Sequence, residues 1–176
     1  MSLDLALLIV RVVVGLLFVG HGAQKLFGWF GGYGLNGTAG FMGSLGLRPA
    51  KFWTLLAGLS ELGGGALLAL GLLNPLGPVA IIAAMLVATA KVHGGKGLWV
   101  TEGGMEYNLV LIAASLAVGL AGAGSFSMDA VLGIALPAPI SLIVGLVASV
   151  LGTGIALLSA PRSVASAQGQ ELSQTA

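Results

Sequence analysis

Residues 5–27, LALLIVRVVVGLLFVGHGAQKLF, decide the fold. Crossing a hydrocarbon core of roughly 30 Å takes about 20 apolar residues, and this run is long enough. It nevertheless carries Arg11, His21 and Lys25. A charge inside such a span costs roughly 2.5 kcal/mol or more, so intramembrane charges face a bundle interior, find partners and mark function. At about 100° per residue, with Arg11 as zero, Lys25 falls at about −40°, His21 at about −80° and Asp4 at about +20°. All four share an arc of roughly 100°, which makes one polar stripe on an otherwise apolar helix. Gly15 and Gly22 flank the stripe, so a neighbouring backbone can come close to it. The stripe is therefore expected to be buried against other helices, either as a structural ion-pair seam or as a functional site.

Composition agrees with a membrane protein. Of 176 residues, 57% are hydrophobic and 7% charged, and the mean hydropathy is +1.04. A soluble domain carries about 25% charged residues. Strand-like alternation is absent, which argues against a barrel. The expected class is all-α, a transmembrane helical bundle in the lipid bilayer. The net charge of +1 suggests no nucleic-acid partner. Without cysteine, the chain has no thiol for disulfide, electron or metal chemistry. The residues before the first apolar run include Asp4 and no positive charge, unlike a signal peptide, so the run reads as a retained first helix.

Working outward, residues 28–51 are a glycine-rich connection with Trp29, Phe30, Tyr33, Phe41 and Met42, aromatics of the kind that sit at a membrane interface. Positions 36–45 suggest a short interfacial helix capped by Asn36 or Thr38. A second span, 52–73, holds Glu61 near its middle, with Gly58 and Gly65 on the same face. Asn74-Pro75 turns the chain into a third span, 76–93, antiparallel to the second. In it Met85, Thr89 and His93 share a face. After the polar loop 94–106 comes a short fourth span, 107–122, whose Asn108, Ser115, Gly119 and Gly122 share a face. Residues 123–130 read as a turn, and Pro137 and Pro139 break the piece before a fifth, uncharged span at 140–159, read as a packing or anchoring helix. The tail 160–176 is polar, rich in small residues, and expected to be disordered.

Lysine and arginine in short loops set orientation. Lys25, Arg48, Lys51, Lys91, Lys96 and Arg162 fall on one side, and Asp4 and Asp129 on the other. The charged side is expected to be cytoplasmic, with the N-terminus on the other side of the membrane. From that side, a rise of ~1.5 Å per residue puts His21 about 9 Å deep, Glu61 about 13 Å and Arg11 about 24 Å.

A mid-membrane carboxylate needs a cationic partner or a proton. Arg11, permanently charged, is the expected partner of Glu61, and His21 the better proton carrier. Lys25, Lys91 and His93 gather at the mouth of the stripe, with Glu106 and Asn108 at its rim. The candidate catalytic set is thus Glu61, His21, Arg11 and Lys25, and the candidate binding set Lys91, His93, Glu106 and Asn108. Each has a plainer reading. Arg11 and Glu61 would fix helix register, Lys25 and Lys91 would snorkel to phosphates, His93 would complement a helix dipole, and Glu102 and Glu106 would be solvated. A metal site from His21, His93 and a glutamate lacks tight ligand spacing, and no metal is expected.

These motifs resemble the DoxX family of small bacterial membrane proteins. The matching pieces are Arg11, HGAQKLFG (21–28), GLNGTAGFMGSLGL (34–47), GLSELGGGALLALGLL (58–73), Lys91 and His93 within 90–97, GMEYNLVL (104–111) and GAGSFSMDAVLG (122–133). The last fits a G-x-G-x-x-S-x-D ending. The resemblance implies a four-helix membrane core over 1–133, to which 134–159 adds a fifth transmembrane helix. It also implies a link to quinone-coupled and oxidative-stress redox chemistry, without an assigned reaction.

Three functions compete. The first is a redox-linked membrane component that binds a quinone and receives electrons from a redox partner protein. The second is a non-catalytic scaffold for redox or stress proteins. The third is a small proton-coupled transporter, disfavoured because Glu61 has no counterpart in the later spans. Small residues on the second and fifth spans permit a homo-oligomer.

Overall fold

In the computed structural model, residues 2–159 are described, and all regular structure among them is helical. The expected tail at 160–176, with Arg162, lies outside the described residues. The helices are α1 (Ser2–Phe27), α2 (Gly34–Ser44), α3 (Ala50–Leu70), α4 (Leu76–Ala88), α5 (Glu106–Ala121), α6 (Met128–Leu132) and α7 (Ala138–Leu158). Among the described residues, four segments are long and apolar enough to span a membrane: α1, α3, Leu76–His93 and Pro139–Leu158. The protein is thus a multi-pass membrane helical bundle. α5, with 16 residues, is shorter and reaches about 24 Å.

The centre of the bundle is the antiparallel pair α1 and α3, in close contact because glycines face each other. A β-carbon on Gly15 would lie 2.6 Å from the Gly65 carbonyl oxygen, and one on Gly22 2.5 Å from the Leu62 nitrogen. The glycines flanking the polar stripe and Glu61 therefore do admit a neighbouring backbone. α3 packs in turn on α4, α4 on α5 and α7, and α2 on α3. Phe18, Leu68, Ile81, Met85, Leu111 and Val118 form the main core. Ile9, Val13, Leu16 and Leu17 remain exposed on the opposite face of α1, where lipid is expected. Several small residues available for an oligomer contact are used within the chain: Gly58 meets Leu26, Gly64 meets Ala80 and Gly145 meets Val79.

Some local expectations change. α3 ends at Leu70 rather than residue 73, because Gly71 adopts a left-handed conformation and the Leu72 amide closes back on Leu67. The interfacial helix α2 starts at Gly34 and has no side-chain cap, so neither Asn36 nor Thr38 caps it; Thr38 is buried instead. The third span does not run as α-helix to 93. It passes at Thr89 into a π-helical turn, Thr89–His93, a form often found at functional sites. Part of the expected turn at 123–130 is helical: Ser127 Oγ accepts from the Ala130 amide and starts α6. α7 begins at Ala138, with Pro139 in its first turn, where no amide donor is needed.

Candidate functional site

The ends of the bundle differ in charge. At one end lie Lys25, Arg48, Lys51, Lys91 and Lys96. At the other, two carboxylates hold the turns. Asp4 accepts from the Ser125 amide at 2.9 Å. Asp129 accepts from Leu73 N at 2.8 Å with one oxygen and from Asn74 N at 2.9 Å with the other.

Arg11 belongs to this second end. It is buried, and its Nη2 donates to the Phe126 carbonyl at 2.7 Å. Gly71 lies against the guanidinium, and the Asp129 charge acts on it. The expected Arg11–Glu61 pair is therefore corrected. The α1–α3 register sets Gly15 against Gly65 and Gly22 against Gly58, which puts Gly71 at the level of Arg11 and Glu61 at the level of His21. Ten residues of helix, about 15 Å, separate Arg11 from the level of Glu61, beyond the reach of the side chain.

The partner of Glu61 is Lys25. From the last turn of α1 its ammonium donates to Glu61 Oε2 in a close ion pair. Glu61 is buried and Lys25 partly exposed. The pair lies in the wall of a cavity of about 740 Å³. Phe18, His21 and Lys25 of α1 line it at helical spacing, with Glu61 and Ser60 of α3, Lys91, Val92 and His93 of the π-turn, and Asn108 of α5. The remaining wall is mostly apolar.

Hydrogen bonding fixes the two histidines. Gln24 Nε2 donates to the Phe30 carbonyl at 3.1 Å, which leaves Gln24 Oε1 to accept from His21 Nδ1 at 3.1 Å. His93 Nδ1 meets the Gly103 carbonyl at 2.6 Å, and a carbonyl only accepts. Both Nδ1 atoms thus carry hydrogen, and in each neutral ring Nε2 keeps a free lone pair. His21 also lies edge-on to Phe18, ring centres 6.2 Å apart. Asn108, buried, donates to Thr89 Oγ1 at 3.0 Å and ties α5 to the start of the π-turn. Among the described residues, the Lys91 ammonium has no hydrogen-bond or ion-pair partner.

Six of the sequence candidates therefore share one cavity: His21, Lys25, Glu61, Lys91, His93 and Asn108. Arg11 lies at the far end. Glu106 lies outside the lining and accepts from the Val100 amide at 2.9 Å, holding the loop after the π-turn. Sequence reasoning missed the contribution of α7. Its Gly145, Ala148, Ser149, Gly152 and Thr153 line the cavity. Their spacing of i, i+3, i+4, i+7 and i+8 was the available signal, read only as packing.

The DoxX family model matches residues 6–94, which include Arg11, the Lys25–Glu61 pair and the π-turn. The pieces at 104–111 and 122–133 lie beyond that match. The chain is similar to a Bacillus subtilis (strain 168) protein named "Putative oxidoreductase CatD". The two are 27% identical over 132 residues, 73% of this chain and 87% of that one. No solved structure matches.

Proposed function

Because this chain belongs to the DoxX family, we propose that it is a redox-linked component of a bacterial plasma membrane whose cavity receives the ring of a quinone. One observation carries the reading: a buried carboxylate paired with Lys25 and an ammonium without a partner among the described residues, that of Lys91, occur together in the wall of a largely apolar cavity. Ligand pockets are of this kind, roughly 300–1,000 Å³ and apolar with a few convergent polar groups. The name of the Bacillus subtilis relative supports an oxidoreductase class.

The polar groups present suit a ring with two carbonyl oxygens. Lys91 offers donors and a positive charge that no group among the described residues uses. Lys25 pairs with Glu61 and offsets its charge. His21 and His93 offer Nε2 atoms that can accept a proton or a hydrogen bond. The apolar wall, with Phe18, Met85 and Leu111, excludes water and strengthens these interactions. When bound, a quinone supplies two-electron, two-proton chemistry. The protein residues hold its ring, stabilise negative charge at an oxygen and move protons. Electrons arrive from a partner protein, and the end rich in lysine and arginine faces the cytoplasm.

A scaffold role is favoured by the exposed Leu98, Trp99 and Val100 in the loop at the charged end, which offer a contact surface. Organic extraction and mass spectrometry of the purified protein separate the two. Near-stoichiometric quinone in the wild type and its loss in Glu61→Gln are expected for the redox reading. Absence of quinone from both would favour the scaffold.

A further inference from the structure

The lining of the cavity reaches the surface in two places. At the charged end Phe41 and Tyr107 are 49% and 45% exposed, and on the side Phe52 and Leu56 of α3 and Ile155 of α7 are 55%, 47% and 60% exposed. α3 and α7 both pack on α4 and stand on either side of it. Between them the floor is Val79, Ala83 and Val87 of α4. Towards the charged end the gap is closed by Met42, Leu47 and Ala156, which cluster with Trp53. Towards the other end α7 rests on this floor at Gly145, where a β-carbon would lie 2.6 Å from Val79 Cγ2. At Gly152 a β-carbon would meet nothing within 4 Å. Gly152 and Leu56 each lie six residues, about 9 Å, from the charged ends of their helices, so the opening is at the depth of hydrocarbon.

We propose that the cavity opens sideways into the bilayer through a portal between α3 and α7, framed by Phe52, Leu56, Gly152 and Ile155, and that its ligand carries a hydrocarbon tail that lies in this portal. The inference rests on the reading of a ring held near Lys25, Glu61 and Lys91. It adds where the ligand comes from and what it must carry. A ligand entering from water at the charged end would meet the polar and charged groups there, among them His21, Lys25 and Lys91. One entering from the membrane meets only apolar side chains and the open space beside Gly152. Burying a tail there is favourable relative to water but nearly neutral relative to lipid. The portal therefore gives access and selects for shape.

Trp53 lies in the cavity wall and provides the probe. The full chain with Trp29→Phe and Trp99→Phe, in nanodiscs, is titrated with a tail-free benzoquinone and with its decyl analogue, and Trp53 quenching is read. The same titrations are run on Gly152→Phe in that background, so that partition into the membrane cancels in the ratio. The expected result is an affinity for the decyl analogue at least tenfold weaker in Gly152→Phe, with the tail-free ring within twofold and the melting temperature unchanged. Equal loss for both analogues, or for neither, would overturn the portal. Leu56→Trp, read with an added dye-free competition by the decyl analogue, repeats the test from α3 if Gly152→Phe melts early. Should neither quinone quench Trp53 in the parent, the ring reading fails separately. The portal is then judged with brominated-acyl lipids: quenching in the parent that is lost in Gly152→Phe supports it, and equal quenching in both overturns it.

Discussion

Lys25, in the last turn of α1, forms the ion pair of Glu61, in the middle of α3. It joins the two helices that the glycine contacts bring closest. Because Glu61 is buried, losing its partner leaves a carboxylate unpaired in low dielectric, a change that costs about 3 kcal/mol or more. Lys25→Met is therefore expected to lower the melting temperature strongly in detergent. Glu61→Gln is expected to lower it less, since the partly exposed Lys25 can turn to water or headgroups. The double change to Lys25→Met and Glu61→Met should recover much of the loss. Thermal unfolding of the three variants checks the order.

Arg11 offers the contrast. Among the described residues it makes one hydrogen bond, to Phe126 O, while Nε and Nη1 have no partner. Burying those donors already costs free energy, so their removal offsets much of the lost bond. Arg11→Met is expected to cost about 1 kcal/mol, well below Lys25→Met. A larger loss for Arg11→Met than for Lys25→Met in the same unfolding assay would return Arg11 to the role of partner to Glu61.

Asp129 closes the far end by accepting from two successive amides, Leu73 and Asn74, across the turn between α3 and α4. Asp129→Ala leaves both amides unpaired and is expected to cost about 2 kcal/mol, and Asp129→Asn, which keeps one acceptor, roughly half of that. Hydrogen exchange at residues 72–76 should rise in the same order, with the charged end unaffected.

The α1–α3 contact depends on missing side chains. A β-carbon at Gly22 would overlap the Leu62 backbone, whereas one at Gly20 would meet nothing within 4 Å. Gly22→Ala is expected to cost about 1–3 kcal/mol, because the backbone must shift to make room. Gly20→Ala should be neutral or stabilising by up to about 1 kcal/mol through helix propensity. Paired melting curves distinguish these outcomes.

Hydropathy alone made the spans legible, because a hydrocarbon solvent tolerates little else at that length. The close approach of α1 and α3 was legible too, in Gly15, Gly22, Gly58 and Gly65. Glu61, His21 and Lys25 marked the candidate site for the same energetic reason, while Asp4 and Arg11 of the same stripe lie at the other end. The partner of Glu61 was not legible. Facing angles place Arg11 and Lys25 on one side of α1 alike, and only the register of α1 on α3 decides which cation stands beside the carboxylate. The partner of Arg11 was hidden because a backbone carbonyl, that of Phe126, leaves no mark in sequence. The π-turn escaped because one wide turn does not disturb the apolar pattern of 76–93. α7 escaped because small residues that line a cavity look the same as small residues that pack.

The central claim is that the Lys25–Glu61 pair and its cavity bind a ring ligand, and affinity tests it most directly. Binding of the decyl benzoquinone analogue would be measured in nanodiscs for the wild type, Lys25→Met, Glu61→Gln and, as a far-end control, Asp129→Asn. Both cavity variants should bind at least tenfold more weakly, with Asp129→Asn unchanged. Wild-type affinity in both cavity variants, while each remains folded, would contradict the site.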